Sequence, residues 1–129
     1  MVIFDEGVTQ QIIDAFNQRN LEPVLKLFAE DVVLHCPGKH RLAGDYNGRS
    51  GVLEFWQKQI ACCEGDFRAK VVTACQGDGH LVLIFDLEAQ RGGKTYQWRR
   101  ANHYRIRESR AQEGWIYESD QYAADEAFA

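Results

Sequence analysis

In this 129-residue chain, titratable side chains crowd into one irregular stretch, and a second set recurs on a strand-like run. His35 follows the apolar run Val32-Val33-Leu34 and opens the irregular stretch HCPGKHRLAGDYNG at 35–48. Imidazole titrates near neutrality, which makes His35 a candidate general base. Strand alternation lets it point away from a pocket just as readily. Arg100, Asn102 and Tyr104 recur at alternate positions of a strand-like run, so they share one face. There Arg100 could clamp a carboxylate through its planar fork of N–H donors, and Asn102 is a second candidate catalytic group. A third is Asp120, where the chain leaves its last strand-like segment. It could serve as acid or base, pair with Arg100, or cap the final segment.

Cys36 is a nucleophile only if its pKa is lowered, and its neighbour His35 lies on the opposite face of any strand. His40, between Lys39 and Arg41, is expected to be exposed or at a pocket mouth. Asp45-Tyr46 could line that mouth or simply form a turn before Asn47-Gly48. His35, His40 and His103 show no metal-ligand spacing, and no metal or cofactor is expected. Of the four cysteines, Cys62 and Cys63 are adjacent, with Cys36 and Cys75 far off and no CxxC. Reduced thiols in a cytoplasm are the plain reading.

These groups must be held by regular elements. Phe4, Val8, Ile12, Ala15 and Phe16 recur at helical spacing over 5–18. Asn20 and Pro23 suit the start of a second helix with apolar face Val24, Leu25, Leu27 and Phe28. A short strand is expected at 31–36, a loop to Gly48, and a third helix at 49–63 with Val52, Leu53, Phe55, Trp56 and Ile60 inward. Strands follow at 67–75, 80–90, 95–107 and 111–119. Gly77-Asp78-Gly79 and Arg91-Gly92-Gly93-Lys94 mark two of the turns. The last turn falls near Ser109 or near Gly114.

Helices followed by antiparallel hairpins mean α+β: one domain, 1–129, with a curved antiparallel sheet wrapped around three helices and a cavity inside the cone. Trp98, Arg100, Asn102, Tyr104 and Ile106 form the more apolar set of their strand and are expected to face the helices, as are Leu81, Leu83, Phe85, Leu87 and Ala89. An inward Arg100 needs an internal carboxylate, a ligand anion, or water at an open rim. Composition is that of an ordinary globular chain, 45% apolar and 26% charged. A net charge of −4 argues against nucleic acid and anionic membrane as partners. No run approaches the roughly 18 apolar residues of a membrane span.

The stretch PGKHRLAGDYNGRSGVLEFW, the ending DQYAADEAF and the order of elements resemble the nuclear transport factor 2-like superfamily, which includes ketosteroid isomerases and SnoaL-like polyketide cyclases. The resemblance implies the cone-shaped fold, a pocket for a small molecule and a homodimer. It also places Cys36 where the isomerases carry their base, Phe16, Phe28 and Trp56 where they carry tyrosines, and Asn102 where they carry a protonated Asp. The isomerase carboxylate mechanism is therefore disfavoured, since Phe cannot donate to an oxyanion. The expected pocket is aromatic, formed by Phe16, Phe28, Trp56, Phe85 and Trp98 with Cys36, Tyr46, Arg100 and Tyr104 beside the candidate catalytic His35, Asn102 and Asp120. Three readings stay open: a cofactor-independent isomerase, cyclase or dehydratase; a ligand-binding or dimerising module without turnover; and a protein acting through its outer sheet face.

Overall fold

The structure, a computed structural model, describes residues 10–12, 14–15, 18, 20–62 and 67–129. Most of the expected first helix, Phe16 included, lies outside them. Residues 10–12 and 14–15 are helical and bury Ile12 and Ala15. Pro23 then opens a 3-10 helix, Glu22–Leu27, in place of the second α-helix. This turn ends before Phe28, which is the first residue of strand β1 (Phe28–Cys36).

Part of the presumed loop is a short strand, β2 (Gly44–Asn47), antiparallel to β1, with Asp45 opposite His35. Gly48, at φ +74°, turns the chain straight into helix α1 (Gly48–Cys62), which buries Val52, Phe55, Trp56 and Gln59. Four long strands complete the sheet: β3 (Phe67–Gly77), β4 (His80–Arg91), β5 (Lys94–Arg107) and β6 (Arg110–Glu118). Asp78-Gly79 and Gly92-Gly93 hold φ between +52° and +78° in two-residue turns, the geometry that matches strand twist. The third hairpin turns at Glu108-Ser109, both with positive φ and neither a glycine. A final helix, α2 (Gln121–Ala127), was absent from the sequence expectation.

The strand order is β2-β1-β6-β5-β4-β3. The sheet is mixed rather than wholly antiparallel, because β1 runs parallel to β6. Register shifts in β1–β6, β3–β4 and β5–β6 bend it, as bulges do. Its concave face carries Leu34, Leu83, Phe85, Leu87, Trp98, Arg100, Tyr104 and Ile116 into the core, so strand parity on β4 and β5 is as expected. Gly114 sits in mid-strand, not at a turn. Tyr104 lies opposite it, and a Cβ there would come within 2.8 Å of the tyrosine ring. Among the described residues no helix is long and apolar enough to cross a membrane.

Candidate functional site

Alternation on β4 and β5 turns every second side chain toward helix α1, and the space left between them is a cavity of about 40 Å³. Ile12, Trp56, Phe67, Leu83, Phe85 and Leu87 give its apolar wall, and Gln59, Arg100, Asn102 and Tyr104 its polar one. A water occupies roughly 10–15 Å³ on this measure, so the cavity holds a few waters. Metabolite sites enclose about 300–1,000 Å³.

Arg100 is 4% exposed, and its charge is met inside the protein. Nε donates to Glu118 Oε1 at 2.7 Å and Nη2 to Glu118 Oε2 at 2.9 Å, a bidentate clamp. Nη1 donates to Gln59 Oε1 at 2.6 Å. The Glu118 side chain has no solvent exposure. Burial pushes the Arg100 pKa down, but the Glu118 charge and hydrogen bonds outweigh it and leave the pKa raised. The internal carboxylate is thus Glu118, the cross-strand partner of Arg100, and not Asp120. Asp120 is exposed, and its Oδ1 accepts from Ala123 N at 3.0 Å to cap α2. It takes no place in the cavity wall.

Asn102 and Tyr104 form the other polar feature. Asn102 Nδ2 donates to the Tyr104 hydroxyl at 3.0 Å, and Asn102 Oδ1 is buried with no partner. Burial pushes the tyrosine up to about 12, against smaller pulls from Asn102 and Arg100. The group is a neutral phenol, a donor and not a base. Together the two offer a ligand a hydroxyl proton and an amide oxygen within one strand turn.

His35 lies on the other face. Leu34 and Cys36 are buried inward, so the residue between them points outward. Its Nδ1 lies 2.6 Å from Asp45 Oδ1 and its Nε2 2.6 Å from Glu113 Oε2. Both nitrogens therefore carry protons, and the Glu113 bond, then the Asp45 bond, raise the pKa above 6.5. A clamped imidazolium on the convex face is no base for an internal ligand. His35 stacks on Trp115, Trp115 on His103, and His103 Nε2 meets His80 Nδ1 at 2.8 Å.

The remaining expected residues divide. Trp56, Phe85, Arg100, Asn102 and Tyr104 wall the cavity. Phe28 stands behind that wall, its ring edge-on to Trp56 at 5.9 Å and to Tyr104 at 6.0 Å. Tyr46 is buried under α1 against Phe55, with its hydroxyl on Leu42 O at 2.7 Å, away from the cavity. Cys36 is buried, and desolvation, only partly offset by Arg100, pushes its thiol up to about 12, so it is no nucleophile. Trp98 packs against Phe128 instead of the cavity, with Nε1 buried and unpartnered. His40 is buried rather than exposed, and burial lowers its pKa against smaller opposing pulls from Asp125, Glu118 and the Pro37 carbonyl. Among the described residues no group of three or more His, Cys, Asp or Glu could hold a metal ion. Gln59, Glu118 and Phe128 were not foreseen. Pairing Arg100 with Glu118 follows from parity once the β5–β6 turn is located.

The family model for the SnoaL-like domain matches residues 9–113. The uncharacterised protein Rv0034 of Mycobacterium tuberculosis is 29% identical over 98 residues, 75% of each chain. Bal32a, from a soil-derived mobile gene cassette, superposes with a TM-score of 0.88 at 26% identity, over 96% of this chain and 95% of its own. TerC, co-crystallised with polyporic acid, superposes with a TM-score of 0.81 at 20% identity, over 95% of each chain.

Proposed function

The chain belongs to the SnoaL-like domain family of the nuclear transport factor 2-like superfamily, and from that premise we propose that it binds a mostly apolar small metabolite with a carbonyl or hydroxyl end. The observation that carries this reading is the Asn102–Tyr104 pair at the wall of an otherwise apolar cavity. A buried amide oxygen without a partner is destabilising, and a ligand hydroxyl relieves it. The Tyr104 proton is then placed to meet a carbonyl oxygen. TerC and its polyporic acid support a ligand role for this fold.

Between an isomerase, cyclase or dehydratase and a ligand-binding module without turnover, binding without proton shuttling is favoured. Of the groups facing the cavity, Arg100 is held by Glu118 and Tyr104 stays protonated. A cyclase or isomerase step here would rely on orientation and on polarising a carbonyl, with no carboxylate base. Arg100 is not the receiver of a ligand anion, since Glu118 already neutralises it. We also propose a homodimer formed through the convex face, with no resident cofactor, in the cytoplasm. Unpaired Cys36, Cys62 and Cys75 suit that compartment.

Titration calorimetry with 1-hydroxy-2-acetonaphthone and with 2-ethylnaphthalene tests the reading. The hydroxyketone is expected to bind more tightly, and Tyr104→Phe and Asn102→Leu each to weaken it about tenfold, the loss of one buried hydrogen bond. Equal affinity for both compounds, or affinity untouched by either substitution, would sink it.

A further inference from the structure

Phe128 is fully buried, although it follows a helix of only seven residues. Its ring is packed by His40 at 5.1 Å, Trp98 at 5.7 Å, Phe67 at 5.8 Å and the Arg100 guanidinium at 5.9 Å. Two of these neighbours bury a ring nitrogen, Trp98 Nε1 and His40 Nε2. His40 Nδ1 accepts from Leu42 N at 3.0 Å, so the ring proton sits on Nε2. Both are therefore N–H donors: the Pro37 carbonyl reaches the His40 ring, whereas the phenyl ring offers the Trp98 indole at most a weak π contact. Buried donors are ordinarily satisfied, so the Trp98 N–H beside this side chain is an exception.

Phe67 and Arg100 also wall the cavity, which places the Phe128 ring directly behind it. At about 40 Å³ that cavity is too small for a metabolite. Benzene alone takes a space of about 150 Å³ in an engineered protein cavity. A ligand enters only if something withdraws. The segment bearing Phe128 is tied down by two exposed hydrogen bonds, Lys39 N to Asp125 Oδ1 at 3.1 Å and Arg41 Nη2 to Ala129 O at 2.6 Å, for which water competes, and by one long part-buried one, Arg91 Nη1 to Ala127 O at 3.4 Å.

We propose that the Phe128 ring occupies the inner half of the binding site, and that this half accepts a neutral aromatic ring bearing a carbonyl or hydroxyl oxygen when Phe128 withdraws. The inference rests on the metabolite reading above and adds to it the segment that yields and the class of ring admitted. The oxygen meets the Trp98 donor that the phenyl ring leaves stranded, with the His40 ring beside it. The ligand ring is neutral because Glu118 already balances Arg100, and Asp125 and Glu118 both act on His40.

Acetophenone and ethylbenzene share a shape and differ by the carbonyl. In Phe128→Ala, calorimetry is expected to show acetophenone binding at least tenfold more tightly than ethylbenzene, and adding Trp98→Phe to shrink that preference severalfold. Ethylbenzene binding as tightly as acetophenone, or neither binding to the folded variant, overturns the proposal. Phe128→Val retains part of the packing, and the same comparison in it decides the matter if Phe128→Ala does not fold. Asn102 and Tyr104 substitutions in the unaltered background test the metabolite reading and Trp98 substitution tests this one, so the two fail separately.

Discussion

A guanidinium only 4% exposed persists because three hydrogen bonds from two side chains meet it. Strand parity made its inward direction legible, since Trp98, Arg100, Asn102 and Tyr104 alternate on β5. Its partner was not legible, because Glu118 can be set opposite only when the β5–β6 register is known. Asp120, two residues on, has left the sheet and caps a helix. The pairing sets a clear expectation. Arg100→Leu strands a fully buried carboxylate and is expected to destabilise the fold by about 3–5 kcal/mol. The double change Arg100→Leu with Glu118→Leu removes both charges and is expected to cost less than the single one. Urea titration of the native chain, the two single variants Arg100→Leu and Glu118→Leu, and the double variant measures it. A double variant as unstable as the sum of the single changes would mean the two groups do not act as a pair.

At the scale of elements, legibility followed turn chemistry. Where glycine supplied the positive φ, at Gly79 and at Gly92-Gly93, the hairpins fell where expected. Glu108 and Ser109 adopt φ +54° and +62° without any such marker, and Gly114 drew attention to a place where the strand is unbroken. That glycine answers to the ring of Tyr104 and not to a turn. Strand β2 hid for a related reason: four residues in a Gly-rich stretch show no alternation worth reading, and only pairing with β1 makes them a strand. The same turn yields a test. A non-glycine residue in the left-handed region costs about 1–2 kcal/mol, and glycine returns part of that as unfolded-chain entropy. Glu108→Asn with Ser109→Gly is therefore expected to stabilise the chain by about 1 kcal/mol. A lower thermal midpoint in that variant would show that the two side chains contribute more than their backbone strain removes.

For the whole molecule, the two faces of one sheet carry separate chemistries. The concave face holds the cavity. The convex face carries the band His35, Trp115, His103 and His80 across β1, β6, β5 and β4, edged by Arg99–Asp86 and Arg105–Glu113 ion pairs. Sequence alone left His35 free to face either way, since one strand end flanked by a loop leaves parity undecided. The pKa of His35 is raised by Glu113 and Asp45 above 6.5, so its clamp contributes fully below that pH. The contribution is lost as pH rises through the folded value. Thermal stability is expected to fall over that alkaline-going window in the native chain and to change less in His35→Gln, as calorimetric scans at stepped pH would show. A midpoint rising over the same window would contradict the clamp.

The same band is where the proposed dimer would meet. Stacked aromatic rings bordered by paired charges of both signs are self-complementary across a two-fold axis, and such mixed surfaces suit a wet interface. Light scattering is expected to give twice the 14.8 kDa chain mass. Trp115→Glu places a carboxylate beside Glu113 at the centre of the band, where two copies would oppose like charges. That variant is expected to run at the mass of one chain with an unchanged far-ultraviolet spectrum. A native chain found only near 14.8 kDa would remove the dimer. A dimeric Trp115→Glu variant would move the interface off this face.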